Sequence, residues 1–150
     1  MGYHLRDKML TIELIPKTAW NINVRSELPK KEWDRLRREA YRLADYKCEI
    51  CGGVGHKHPV ECHEIWEYNE TDHIQILRGL TAICPSCHEV KHIGRAQIMG
   101  HYDRAREHLA KVNKWSIKEA EKYIREQFAV WRKRSESEWE LNLSWLENNV

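Results

Sequence analysis

Two Cys-x-x-Cys pairs, Cys48/Cys51 and Cys84/Cys87, constrain this chain more than anything else in it. Each pair puts two sulfurs on one side of a tight turn, and two such knuckles together supply the four thiolates of a tetrahedral zinc site. Gly52 and Gly53 give the first knuckle a permissive backbone, and Pro85 stiffens the second. A disulfide framework is the competing reading. Two short-range pairs in a 150-residue chain argue against it, as does an opening, MGYHLRDKML, without the apolar stretch of a secretory leader. No apolar run reaches membrane-spanning length, so the expected compartment is a reducing cytoplasm.

A second set of ligand-type residues lies within and after this frame. His63 sits in PVECHEIW, whose β-branched and aromatic residues read as a strand, while His88 and His92 follow the last cysteine at i, i+4 spacing. On a helix that spacing puts both imidazoles on one face. One histidine from a strand and two from a helix can hold a single divalent ion with coordination positions left open, which is what a catalytic site keeps. Glu61 shares strand parity with His63 and is a candidate additional ligand or supporting group, whereas Cys62 points to the opposite face as a small buried hydrophobe. His56 and His58 lie on a glycine-rich approach and read as solvent-exposed or phosphate-contacting.

The remaining chain supplies the scaffold. With 41% apolar and 32% charged residues it is an ordinary soluble composition, and a net charge of +2 means that any nucleic-acid contact must rest on local patches. Residues 9–16, MLTIELIP, alternate as a strand ended by Pro16. Trp20, Asn23 and Arg25 follow in a segment without clear period, where they could line a nucleic-acid groove or belong to a packed loop. Pro29 opens a helix to about Asp45, with Trp33, Leu36, Ala40 and Leu43 on its buried side and Arg35, Arg38 and Arg42 on the other, a candidate phosphate-contacting face. LTAIC forms a second strand antiparallel to the first. The helix carrying His88 and His92 continues toward Gln97 and sets Lys91 and Arg95 beside the site, where a cation can hold a phosphate. Asp103 caps a helix bearing Ala105, Leu109 and Val112. Ser116 and Glu119 form the capping box of a longer one to about Arg134. WELNLSWL, residues 139–146, alternates again, and its natural partner is the N-terminal strand. The expectation is one α+β domain over residues 1–150: an N-terminal strand and helix (9–45), a metal-binding core (46–96), and C-terminal helices and strand (103–146) with the two terminal strands paired.

The order Cys-x-x-Cys, Val-Glu-x-His-x-Ile, Leu-x-x-x-Cys-x-x-Cys-His-x-x-Lys-His resembles the HNH endonuclease family over roughly residues 46–96. The resemblance implies a ββα-metal core braced by a four-cysteine structural zinc (Cys48, Cys51, Cys84, Cys87). It also implies a catalytic ion on His63, His88 and His92, and hydrolysis of nucleic-acid phosphodiesters, with double-stranded DNA as the expected partner. Such an enzyme would be cytoplasmic, bacterial or phage-encoded. Two positions depart from the family pattern. Glu64 stands where a second histidine usually acts as general base, and Gly79 where an Asn usually braces the loop. Either Glu64 is the base, or His63 is the base with fewer protein ligands on the ion, or activity has been lost. A three-imidazole site favours Mn²⁺, Ni²⁺ or Zn²⁺ over Mg²⁺. The alternative reading is a non-catalytic zinc-ribbon module that binds nucleic acid or protein, and a third is a purely structural zinc domain in a larger assembly.

Overall fold

The β-branched and aromatic run after Pro59 folds back on itself as an antiparallel hairpin, β1 (Glu61–Asn69) and β2 (Ile74–Ile83). The computed structural model describes residues 9–20 and 22–149; the first eight residues, part of the opening read above as lacking a leader, lie outside the described residues. LTAIC is thus the end of a longer strand. The pairing register shifts between Ile65 and Trp66, where β2 carries the extra residue Arg78. Cross-strand partners share a face, so Cys62, Glu64 and Trp66 lie with Ala82, Leu80 and Leu77 on one side. Glu61, His63 and Ile65 lie with Ile83, Thr81 and Gly79 on the other.

Helices cover both faces. Before the hairpin come α1 (Val24–Glu27) and α2 (Lys30–Leu43), the latter entered through Pro29 as expected. Trp33 and Leu36 are buried, but Leu43 is 72% exposed, because α2 ends there and its last turn runs clear of the sheet. After the hairpin come α3 (Pro85–Lys91) and α4 (Ile93–Ile98), separated at His92, whose φ of −110° and ψ of 48° interrupt the helix. Next are α5 (Tyr102–Asn113) and α6 (Ile117–Arg134), and last α7 (Ser144–Glu147). The Ser116/Glu119 capping box forms as read. Asp103 is not a cap: α5 is entered from His101, and Asp103 occupies its first turn, where a carboxylate still favours the helix dipole.

Two apolar cores result. The main one joins Leu10, Ile12, Ile83, Val90, Ile93, Leu109 and Ile124, and the knuckle cysteines sit in it. The second, on the other face of the hairpin, joins Val24, Trp33, Leu36, Leu77 and Leu146. Among the described residues no helix is long and apolar enough to cross a membrane.

The terminal strands do not pair. Among the described residues the only C-terminal strand is β3 (Glu140–Asn142), which runs parallel to Ile74–Ile76 at the far edge of a β1-β2-β3 sheet, and Trp145 belongs to α7. The N-terminal segment is extended, and Leu10 and Ile12 are buried as its alternation demands, yet no strand lies beside it. Side chains and one helix terminus satisfy its backbone instead. Leu10 N–H donates to Asn113 Oδ1 and Leu10 O accepts from Asn113 Nδ2, both at 2.8 Å. Ile12 N–H donates to the Tyr123 hydroxyl at 3.1 Å, and Glu13 N–H to the Lys91 carbonyl at 3.0 Å. Asn113→Ala strips both polar groups of the buried Leu10, at about 1–3 kcal/mol for each unsatisfied group. The expected loss is about 2–4 kcal/mol in denaturant unfolding, whereas a segment held by strand pairing would tolerate the change.

Candidate metal centres

The first centre is built by the two knuckles. Gly52 N–H donates to Cys48 O at 2.9 Å and Cys48 N–H to Gly53 O at 2.9 Å, closing a turn that needs the φ of +77° at Gly52, a left-handed conformation glycine adopts without strain. Amides then point at sulfur: Cys51 N–H reaches Cys48 Sγ and Cys87 N–H reaches Cys84 Sγ, each at 3.4 Å. Glu49 fastens the first knuckle to the sheet, its amide on Ala82 O at 3.0 Å and its carboxylate accepting from Thr81 Oγ1 and Ala82 N–H. The second knuckle needs no such tie, since Cys84 directly follows β2 and caps α3.

All four sulfurs converge within 4.8 Å, and Cys51 Sγ lies 3.6 Å from Cys84 Sγ. Sulfurs about 2.3 Å from a tetrahedral zinc are separated by about 3.8 Å, so the cluster has the dimensions of a structural zinc site. Its acidity agrees. Hydrogen bonds from Cys84 and Cys87 drive the Cys48 thiol strongly down, and that anion pushes Cys84 up to about 11. Thiols this close ionise together only around a cation. His108 Nε2 stands 3.2 Å from Cys87 Sγ, a contact between α5 and the knuckle that its place in the sequence does not reveal.

The second centre lies on the His63 face of the hairpin. His63 from β1, His88 from α3 and His92 at the α3–α4 break bring one nitrogen each within 4.8 Å of the others, with ring centroids 5.0–5.3 Å apart. Burial lowers the pKa of His88, and burial together with the nearby imidazoles takes His92 to about 3. Both rings are therefore neutral near pH 7, the form that binds metal.

Two carboxylates stand behind these rings. Glu61 Oε1 meets His88 Nδ1 at 2.7 Å, as its parity with His63 suggests, and its other oxygen meets His58 Nε2 at 2.6 Å. Glu13 Oε1 meets His63 Nε2 at 3.1 Å, while Glu13 Oε2 pairs with Lys91 Nζ at 2.5 Å. Such carboxylate–imidazole pairs fix ring orientation in metal sites and leave the other nitrogen, Nε2 of His88 and Nδ1 of His63, for a cation. Burial alone would raise the Glu13 carboxyl, but the His63 hydrogen bond and the Lys91 charge outweigh it and hold it at about 2. Glu13 is the one group of this site that the sequence reading missed. The signal was an acid in the middle of the apolar run Ile12, Leu14, Ile15.

Other expected site residues fall differently. Lys91 is not available to a phosphate: only 5% exposed, it is sealed between Glu13 and Thr11. Glu64 points to the opposite strand face from His63, and its Oε2 accepts from the Val24 amide at 2.6 Å. Burial raises its pKa, with the Val24 bond opposing. β1 is an edge strand, however, and a cavity of about 470 Å³ wraps its margin, lined by Glu64 as well as Glu13, His63, His88 and His92. Arg25 and Arg95 line the same cavity, and among the described residues neither has a carboxylate partner. Arg38 is exposed on α2 away from it, and Arg42 is engaged by Glu39 at 2.6 Å.

Glu13→Gln leaves the Lys91 ammonium buried without its counter-charge, which costs about 3–5 kcal/mol. The double substitution Glu13→Gln/Lys91→Met is expected to regain most of that stability. It should still bind Mn²⁺ at the three histidines about 10–100-fold more weakly in calorimetric titration, since His63 has lost its orienting partner.

No protein-family model, no curated protein and no solved structure matches this chain.

Proposed function

We propose that this protein is a metal-dependent endonuclease of HNH type, with a structural zinc on Cys48, Cys51, Cys84 and Cys87 and a second divalent ion held by His63, His88 and His92. The observation that carries the reading is the convergence of three imidazoles, two of them kept neutral, in an open cavity whose wall also holds two guanidiniums without a carboxylate partner among the described residues. A purely structural metal site closes its ligand shell, whereas among the described residues three imidazoles converge here, which supports an open one. Glu13 and Glu64 line the cavity and set carboxylates beside any phosphodiester there. A divalent ion held by His63, His88 and His92 would offset that charge and supply Lewis-acid chemistry at the phosphoryl group.

The chain's own groups do the rest. Arg25 and Arg95 hold the flanking phosphates by charge-assisted hydrogen bonds. Glu61 and Glu13 keep the His88 and His63 rings in register. A general base takes the proton from the attacking water. Glu64 suits that role in acidity, because burial moves its carboxyl toward the neutral range where a base is most effective. His63 suits it in orientation, because the Glu13 carboxylate stands behind its ring; in that case its Nδ1 faces the water and the ion keeps only His88 and His92 as protein ligands.

The test is nicking of supercoiled plasmid with Mg²⁺, Mn²⁺, Ni²⁺ or no added metal. Wild type is expected to cut with one or more of these ions. His88→Ala and His92→Ala should fall below detection while keeping one zinc per chain. Glu64→Gln should lose about 10²–10⁴-fold if it is the base, and a small loss would assign the role to His63. Absence of cleavage of both plasmid and single-stranded oligonucleotide by a folded, zinc-loaded wild type under every ion would contradict the proposal.

A further inference from the structure

The segment between the N-terminal run and α1 is not absorbed by the zinc or by the three histidines, and it carries Trp20, 58% exposed. An indole left this open is normally mobile, but this one is anchored. Its Nε1 donates to Ile15 O at 2.7 Å, and its ring lies offset against Trp131, with centroids 6.3 Å apart and planes 19° from parallel. Trp131 is fixed in turn by its own Nε1 bond to Ile15 O at 2.8 Å and by Lys17 over its ring. Trp20 also lines the cavity that holds His63, His88 and His92, and Ile22, Arg25 and Arg95 line it too. An anchored, exposed aromatic surface, two guanidiniums without a carboxylate partner among the described residues, and a cluster of three imidazoles thus share one hollow.

Resting on the phosphodiesterase reading of the three-histidine site, we propose that Trp20 is a base-stacking platform and that the substrate presents an unpaired nucleotide at the scissile phosphate. The substrate class is single-stranded nucleic acid, or a duplex with an unstacked base. The chemistry follows from the shape of the ligand. Inside a duplex both faces of a base are covered by its neighbours, so a flat indole can engage only a base that has left the stack. Stacking is indifferent to base identity, while Arg25 and Arg95 contact the backbone, so the site discriminates by strandedness more than by sequence.

The experiment is anisotropy titration of the zinc-loaded protein, without added divalent ion, against a labelled oligothymidylate and a duplex of the same length. Cleavage of both is followed separately with Mn²⁺. Wild type is expected to bind the single strand more tightly. Trp20→Ala should weaken that binding by about five- to a hundred-fold. Trp20→Leu, which keeps apolar bulk without a flat ring, should weaken it similarly, and Trp20→Phe should retain most of it although it loses the Ile15 bond. That carbonyl still has Trp131 as donor, and unchanged melting curves would show the fold intact. Arg25→Ala should weaken both ligands alike. Tighter duplex binding by wild type, or single-strand affinity unchanged in folded Trp20→Ala and Trp20→Leu, would overturn the platform. Trp20-dependent single-strand binding without cleavage would sustain the platform and remove the nuclease reading; cleavage indifferent to Trp20 would do the reverse.

Discussion

The four-sulfur cluster is the constraint on which the rest depends. It ties the loop after α2 to the junction of β2 and α3, and so joins α2, the hairpin and the helix that carries His88. The main core flows around it: Cys48, Cys84 and Cys87 are buried among Ile83, Val90 and Leu109. A core cut by three buried thiols, with Cys51 exposed beside them, is poor in apolar contact at its centre, and a structural zinc there would offset this because ion binding is coupled directly to folding. The direction of α3 is the functional consequence. Cys84 caps the helix and Pro85 begins it, so the rotation that aims Cys87 at the metal also fixes where His88 and His92 point.

A second constraint closes the site from the N-terminal side. The Glu13–Lys91 pair is a buried ion pair, and such pairs contribute little net stability compared with apolar residues of the same volume. Its presence is better explained by geometry. Lys91 lies at the end of α3 between His88 and His92, Glu13 reaches His63 on β1, and the pair therefore locks helix to strand across the imidazole cluster. The absence of a strand partner for residues 10–16 follows from the same arrangement. A segment that must present Glu13 to β1 and α3 and its amides to α5 and α6 has neighbours on each side already.

Much of this was legible in the sequence where spacing alone determines geometry. The knuckles, the i, i+4 histidines, the capping box at Ser116 and the parity of Glu61 with His63 are local relations, and the structure brings those residues together. The same parity argument that turned Cys62 away from His63 also turns Glu64 away, so its position on the far face was available from alternation. What could not be read is long-range. Lys91 looked like a surface cation because nothing in its own helix shows that Thr11 and Glu13 cover it. The alternation of MLTIELIP reported which side chains are buried, but a period of two does not say whether the backbone finds a strand or a set of side chains. WELNLSWL kept its burial at Trp139 and lost its pattern to the turn into α7, because only three residues find an edge to pair with.

The central claim is that one stretch of chain builds two different metal centres, one closed by sulfur and one left open by imidazole. Anomalous scattering from crystals of the zinc-loaded protein soaked in Mn²⁺ tests it most directly. The account predicts zinc signal at the four sulfurs and manganese signal among His63, His88 and His92, with solvent or phosphate completing the manganese shell. Zinc at the cysteines with no manganese among the imidazoles, or manganese bound elsewhere, would contradict it.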